Sequence, residues 1–314
     1  MKAIALQSAD KPASLIDIEK PEVGDRDVLV AVKAASVNGF DVFQASGFLT
    51  GMMEHALPTT IGRDFAGVVE AVGAEVSDFA VGDEVFGFIP SVPPLKSGSF
   101  AEYVGGGPEL VLAAKPAGLD FEAAAGLPLA GSAALDLLDA IEAKAGDVVL
   151  VVGATGGVGS FVVELAARRG LVVIATARAD EDAYVRELGA AETIDYTAGS
   201  VADAVRGRYP HGVAALIDLV DQKDALTDLA TVVRRGGHVA TLLGAADVDG
   251  LAARGITGQN VNATPTADKL RSLGELASSG DLRVPIQGVH PLERADEALA
   301  AFQQGTRGKL IVQI

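Results

Sequence analysis

From Phe121 onward, apolar runs of five to seven residues alternate with stretches of helical periodicity. The runs are Val148–Val152, Leu171–Ala177, Val213–Leu219 and His238–Leu243. Uninterrupted apolar strands separated by crossover helices predict a parallel sheet covered on both faces, the signature of an α/β domain. After the first run, Phe161, Val162, Leu165 and Ala166 fall on one helical face and Glu164, Arg168 and Arg169 on the other, and Gly170 ends the helix. The first 120 residues differ. Short strands such as Val28–Val32, Ala66–Val72 and Val81–Phe88 lie between glycine and proline turns, which predicts a barrel-like antiparallel domain. The character changes after Lys115–Leu119. Near the end, Leu292, Ala295, Ala298, Leu299 and Phe302 mark a helix over Pro291–Gln304, and Lys309–Ile314 reads as a strand returning to the first domain. The expected division is residues 1–121 with 265–314, and 122–264.

The join between the first apolar run and its helix carries the clearest chemistry. Gly153-Ala154-Thr155-Gly156-Gly157-Val158-Gly159 is a glycine turn between a strand and a helix start. Such a turn aims backbone N–H groups and the positive end of a helix at a dinucleotide diphosphate. Ala154 occupies the first position of G-x-G-x-x-G, so the strict pattern is not met, and a glycine turn of another α/β sheet is the alternative. Composition narrows the partners. A formal net charge of −17 over 314 residues disfavours nucleic acid and anionic membranes. With no cysteine, disulfides and cysteine-ligated zinc are excluded. The apolar stretch Ala123–Ile141 carries Pro128, Asp136 and Asp139, and reads as a buried helix and not a membrane span. No signal-peptide pattern follows Met1, so a soluble cytoplasmic protein is expected. His55, His211, His238 and His290 are scattered without ligand spacing.

Several segments together resemble one family. They are Val37-Asn38-Gly39-Phe40-Asp41 (V-N-x-x-D), Gly62–Val69 (G-x-D-x-x-G-x-V), Val81–Gly87 (V-G-D-x-V), Gly98–Tyr103 (G-x-F-A-E-Y), Ala125–Gly131 and the A-x-G-G-V-G turn. In order and spacing the chain resembles the medium-chain dehydrogenase/reductase superfamily, in its zinc-free quinone oxidoreductase (zeta-crystallin-like) branch. The resemblance implies a GroES-like catalytic domain split in sequence, a Rossmann NADP(H)-binding domain and an active site in the cleft between them. It also implies a homodimer joined along the cofactor-sheet edge near Gly255–Val261, against which stands a purely intrachain edge strand. In the zinc branch a Cys stands where Asn38 is and a His where Arg63 is.

The second strand of the α/β unit ends Ala175-Thr176-Ala177-Arg178, so the acid that binds ribose hydroxyls in NAD-preferring folds is absent and a guanidinium stands beside the gap. A charge-assisted contact from Arg178 to a 2′-phosphate would contribute roughly 1.5–3 kcal/mol. Tyr196 falls where the family has a tyrosine touching that phosphate, and NADPH is the expected cofactor. Asp180, Glu181 and Asp182 argue the other way unless they form the first turn of a helix. The turn residues Thr155, Gly156, Gly157 and Val158 are expected at the diphosphate. The resemblance places Val220 near the adenine and Leu243 and Gly244 near the nicotinamide ribose. Lys309 either approaches the cofactor or stands on a strand surface.

The implied chemistry is hydride transfer from NADPH to a quinone or an α,β-unsaturated carbonyl. The alternatives are an alkenal or enoyl reductase of a specific metabolite, and an NADPH-binding protein without catalysis. Asn38 is the candidate catalytic residue, by donating to an oxygen or orienting the nicotinamide; the alternative is a side chain bonded to its own backbone. Asp41 reads as a helix cap. Phe43 and Leu49 replace the family's tyrosines and Ala133 replaces a threonine, so the proton is expected from water. Phe43, Phe48, Leu49, Met52 and Met53 form either an apolar substrate mouth or core, and Ile89–Lys96 is expected as a loop beside it.

Overall fold

Glycine and proline punctuation cuts the first part of the chain into eight strands, in a computed structural model that describes residues 1–314. They are β1 (Lys2–Leu6), β2 (Ser14–Asp17), β3 (Val28–Ser36), β4 (Thr59–Thr60), β5 (Asp64–Val72), β6 (Glu84–Phe88), β7 (Tyr103–Gly106) and β8 (Val111–Ala114). Helix α1 (Gly39–Ala45) leaves β3, and α2 (Phe121–Gly126) and α3 (Pro128–Ala140) follow β8. The stretch expected as one helix over Ala123–Ile141 is two. Pro128 has no N–H to bond back into the preceding turn, but its fixed φ suits the first position of a new helix. Strand β6 begins at Glu84 and not at Val81, because Gly82 turns the chain at φ +95° and donates its N–H to the Val69 carbonyl.

Strict alternation follows: β9 (Val148–Val152), α4 (Gly157–Arg168), β10 (Val172–Thr176), α5 (Asp182–Glu187), β11 (Glu192–Ile194), α6 (Val201–Arg208), β12 (Val213–Asp218), α7 (Lys223–Leu229), β13 (Val233–Thr241), α8 (Val248–Ala253) and β14 (Thr257–Asn260). The chain continues through α9 (Ala267–Ser278), β15 (Ile286–Pro291), α10 (Ala295–Gln303) and β16 (Lys309–Gln313). No helix is long and apolar enough to cross a membrane.

The chain divides into two compact units, Met1–Leu129 with Pro265–Ile314, and Ala130–Thr264. The first boundary lies later than residue 121 because α2 packs on β3, β5 and β16 and so belongs to the first unit. That unit is built on a sheet of order β15-β16-β3-β5-β6-β8, with β7 also paired to β3, and on a smaller sheet β2-β1-β4. Strand β16 returns across nearly the whole sequence to pair antiparallel with β3, setting Ile311 opposite Ser36. Gly67 permits the close approach of β5 to β3: a Cβ there would stand 2.2 Å from the Ala31 carbonyl oxygen.

The second unit is a six-stranded parallel sheet of order β11-β10-β9-β12-β13-β14. Counted from β9 this is 3-2-1-4-5-6, the dinucleotide-binding order, and its direction reverses between β9 and β12. Leu150, Ile174, Leu216 and Val239 from the four central strands share one apolar core with residues of the covering helices.

Candidate functional site

In the second unit, each residue expected at the cofactor follows the carboxyl end of a parallel strand. Thr155–Val158 follow β9, Arg178 follows β10, Tyr196 follows β11, Val220 follows β12, and Leu243 and Gly244 follow β13. In an open parallel sheet that edge is where ligands bind, at the reversal of strand order. The turn after β9 is built by two glycines. Gly153 takes φ +79°, and Gly159 lets α4 seat against the turn, since a Cβ on it would lie 2.0 Å from the Gly153 carbonyl oxygen. Gly156 precedes α4 and contributes no side-chain cap. The first N–H groups of α4 therefore keep their hydrogen-bonding capacity for an anion.

Strand β12 sets Asp218 opposite Val152, and Val220 leans over Gly153 so closely that a Cβ there would lie 2.7 Å from Val220 Cγ2. Asp218 is fully buried. Its Oδ1 accepts the N–H groups of Val220 (2.9 Å) and Asp221 (2.8 Å), while Oδ2 has no partner. Burial pushes this carboxyl up to about 7, with Asp221 adding to the rise and the two N–H bonds opposing it. Its folded value thus lies above the unfolded one, so the native state holds the proton more tightly and stability falls as pH rises from about 4 through about 7. We expect Asp218→Asn, which keeps an acceptor for both N–H groups, to flatten that fall. Melting temperatures at pH 4.5, 6 and 7.5 check this, and parallel curves for the two proteins would refute it.

Arg178 is half exposed and already engaged. Its Nη2 donates to Glu181 Oε1 at 3.2 Å, and Nε lies 3.5 Å from Asp180 Oδ1. The other Glu181 oxygen accepts the Arg178 backbone N–H at 3.1 Å. The acidic run does open a helix, through a 3₁₀ turn at Ala179–Glu181 into α5, yet two of its three acids face Arg178. Asp182 instead pairs with Arg186 (2.8 Å) and Thr193.

The first unit holds a buried polar cluster around Asn38. Lys309 Nζ donates to Asn38 Oδ1 (2.7 Å) and the Val37 carbonyl (3.1 Å). Asn38 Nδ2 donates to Asp64 Oδ2 (2.9 Å) and reaches the Ser36 carbonyl at 3.4 Å. Asp64 also accepts from Ser36 Oγ (3.1 Å) and, through Oδ1, from the Leu129 N–H (3.1 Å). Both ends of the Asn38 amide are thus engaged within the chain. Lys309 is 3% exposed, so the surface-lysine alternative is also set aside. Asp41, third residue of α1, reaches back to cap the Asn38 N–H at 2.8 Å. Arg63 donates to Gln44 Oε1 (3.1 Å) and lies over the Phe40 ring.

Two buried acids, Asp41 and Asp64, are thereby matched by two buried cations, Arg63 and Lys309. Burial pushes Asp41 up to about 7, opposed by Arg63, and Asp64 up to about 6, opposed first by Lys309. Lys309 is in turn held below the usual lysine range by burial, against the pull of Asp64 and Asp41. No group of three or more His, Cys, Asp or Glu side chains converges in a way that could hold a metal ion.

Of the expected apolar mouth, Phe43, Phe48 and Met52 are each more than half exposed, with the two rings 5.7 Å apart. Leu49 points into the core instead. Asp218 belongs to no motif of the sequence, Asp64 stands there only as the acid of the Gly62–Val69 segment, and Glu181 reads as part of an acidic helix start. The signal for Asp218 is an acid inside an otherwise apolar strand; for Asp64 it is an acid at the head of another.

Comparison with known proteins decides the family. The model for the alcohol dehydrogenase GroES-like domain matches residues 24–115, and that for zinc-binding dehydrogenases matches 188–312. The chain is 34% identical over 304 residues to an NADPH-dependent alkenal/one oxidoreductase of Arabidopsis thaliana, covering 94% of this chain and 74% of the relative. It is 32% identical over 311 residues to a quinone oxidoreductase of Sus scrofa, covering 94% and 92%. The chain belongs to the medium-chain dehydrogenase/reductase superfamily, in its quinone oxidoreductase-like branch. A quinone oxidoreductase structure from Coxiella burnetii superposes with a TM-score of 0.90 at 31% identity, over 100% of this chain and 99% of that one. Membership accounts for the discontinuous first unit: the GroES-like match ends where β8 ends, and the dehydrogenase match runs from the Rossmann unit into β16.

Proposed function

We propose that the protein reduces quinones and α,β-unsaturated carbonyls with NADPH, by direct hydride transfer without zinc. The observation that carries the reading is the end of β10, where Ala177 leaves no acid and Arg178 offers a guanidinium, on a chain about a third identical to alkenal and quinone oxidoreductases. The residues present fit the cofactor. Thr155–Val158 would take the diphosphate, where the uncapped N–H groups of α4 and the close seat provided by Gly159 leave room for it. Arg178 and Tyr196 would hold the 2′-phosphate, Val220 would flank the adenine, and Leu243 and Gly244 would lie at the nicotinamide ribose. NADPH supplies the hydride.

The remaining steps belong to the chain. Asn38, held at both ends by Lys309 and Asp64, acts as a positioning residue and gives up no proton. The substrate's apolar part meets Phe43, Phe48 and Met52, and the proton comes from water, since Phe43 and Leu49 carry no hydroxyl. The zinc-free reading is supported by Asn38 and Arg63 at the ligand positions of the zinc branch, and by cations facing both buried carboxylates. A homodimer through β14, the edge strand of its sheet, fits the exposed backbone groups such a strand presents; a sedimentation mass of a single 31.9 kDa chain would exclude it.

The test is NADPH oxidation against a panel of quinones, enones and alkenals. Turnover of at least one class is expected; tight NADPH binding with no turnover across the panel would favour a non-catalytic binding protein. Arg178→Ala should lower kcat/KM for NADPH about 10- to 100-fold and that for NADH far less, as expected for losing one charge-assisted contact. Equal losses with both cofactors would refute the assignment of Arg178.

A further inference from the structure

Arg178 has two carboxylates on it before any ligand arrives. Glu181 is buried and bridges the residue, one oxygen on its backbone N–H and the other on Nη2. Asp180 lies at Nε with its own side chain largely in solvent. A guanidinium has five N–H donors in a fixed fork, and its value to a phosphate lies in presenting two of them together with a positive charge. Here one edge of the fork faces Asp180 and Glu181. Summed over these three side chains the local charge is negative, so a 2′-phosphate gains donors but meets no net positive field. Asp182 takes no part, being tied to Arg186 and Thr193.

We propose that Asp180 and Glu181 are specificity-determining residues that restrain the preference for a 2′-phosphorylated dinucleotide by occupying Arg178. This rests on the assignment of Arg178 to the 2′-phosphate. Asp180 is the movable member, because it is exposed and makes the longer contact. Glu181 is the fixed one, because its other oxygen is held by the backbone. Use of the Nε–Nη2 edge by the phosphate requires Asp180 to leave Nε, and the two like charges of Asp180 and Glu181 oppose binding at either edge. The unphosphorylated dinucleotide has a ribose hydroxyl at that position and meets neither penalty. Selectivity is therefore modest in the natural chain and rises when either acid is neutralised.

The experiment is titration calorimetry of the full chain with NADPH and with NADH, for the natural protein and for Asp180→Asn, Glu181→Gln, Arg178→Ala and the Asp180→Asn, Arg178→Ala double variant. Asp180→Asn should raise the ratio of NADPH to NADH affinity about threefold to tenfold, the range for removing one exposed charge beside a dianion. Glu181→Gln should raise it in the same direction, since a glutamine can keep the backbone bond through its oxygen while releasing Nη2. In the Arg178→Ala background, Asp180→Asn should raise the ratio clearly less, since only the direct repulsion of the phosphate is left to relieve. An unchanged or lower ratio in Asp180→Asn overturns the proposal, as does an equal rise with Arg178 already removed, which would mean bare repulsion of the phosphate. If Arg178→Ala alone leaves NADPH affinity intact, the assignment of Arg178 itself falls. If Arg178→Ala weakens NADPH while Asp180→Asn changes nothing, only the present inference falls.

Discussion

Gly159→Ala is expected to destroy the dinucleotide turn and to destabilise the fold by about 2–4 kcal/mol, at the upper end of overpacking effects. The added methyl would stand 2.0 Å from the Gly153 carbonyl oxygen and 2.8 Å from the Ala154 Cα. Both atoms belong to backbone, so no flexible side chain can yield. Helix α4 would have to lift from the end of β9, carrying its N–H groups away from the phosphate position. Gly156→Ala is the control for stability. Its Cβ meets only the Gly153 oxygen at 3.6 Å, an ordinary contact, and its φ of −70° suits any residue. Thermal melts on both variants make the stability comparison, and NADPH calorimetry on Gly159→Ala reads the turn. Wild-type melting and affinity in Gly159→Ala would show that the turn does not need the close approach.

The second large effect is expected from Lys309→Met. The aliphatic replacement keeps most of the buried volume and removes one of the two cations among Asp41, Asp64 and Arg63. Breaking a buried charge pair from one side typically costs about 3–5 kcal/mol. The loss should depend on pH. Asp64 titrates at about 6 in the fold, above its unfolded value, and Lys309 is the strongest interaction opposing a further rise. Without Lys309 that carboxyl must take a proton or remain buried and unmatched. The deficit against the natural protein should therefore be small near pH 5 and grow as pH rises through 6 to 8. Denaturant unfolding at pH 5 and pH 8 measures it. Adding Asp64→Asn should recover part of the loss at pH 8; a deficit independent of pH would rule out this electrostatic account.

Much of the second unit is legible in the residues because its signals are local. Five consecutive apolar positions, the last four of them buried, make β9, a glycine turn follows, and the period then changes to that of a helix, all within one short stretch. Strand β13 shows the limit. Its apolar run begins at His238, but the strand starts at Val233, because the Val213–Val233 pairing carries it past Gly236 and Gly237 despite their poor strand preference. The Asn38 cluster is illegible for a different reason: Lys309 and Asn38 are 271 positions apart, and only the pairing of β16 with β3 brings them together. A lysine at the head of a strand reads as solvated until its partner is known. The apolar segment after α1 is ambiguous in sequence because Phe43, Phe48 and Met52 have the same character as Leu49, and only the fold decides which of them faces inward. Likewise the acids after Arg178 suit a helix start, and nothing in their order says that two of them turn back toward the guanidinium.

The return of β16 also orders events at the ribosome. Residues 130–264 form a continuous unit and can fold as soon as they emerge, whereas the unit begun at Met1 lacks an inner strand of its sheet until residues 309–313 have been made. At about 5–20 residues per second, the 180 positions between Leu129 and Lys309 take roughly 10–40 s to synthesise. During that interval the Ala34–Ser36 segment of β3 that later receives β16 has no partner on that edge, and the carboxylate of Asp64 is without its lysine. The nascent chain thus carries an open sheet edge for most of its synthesis, with the later-made unit complete before the earlier one.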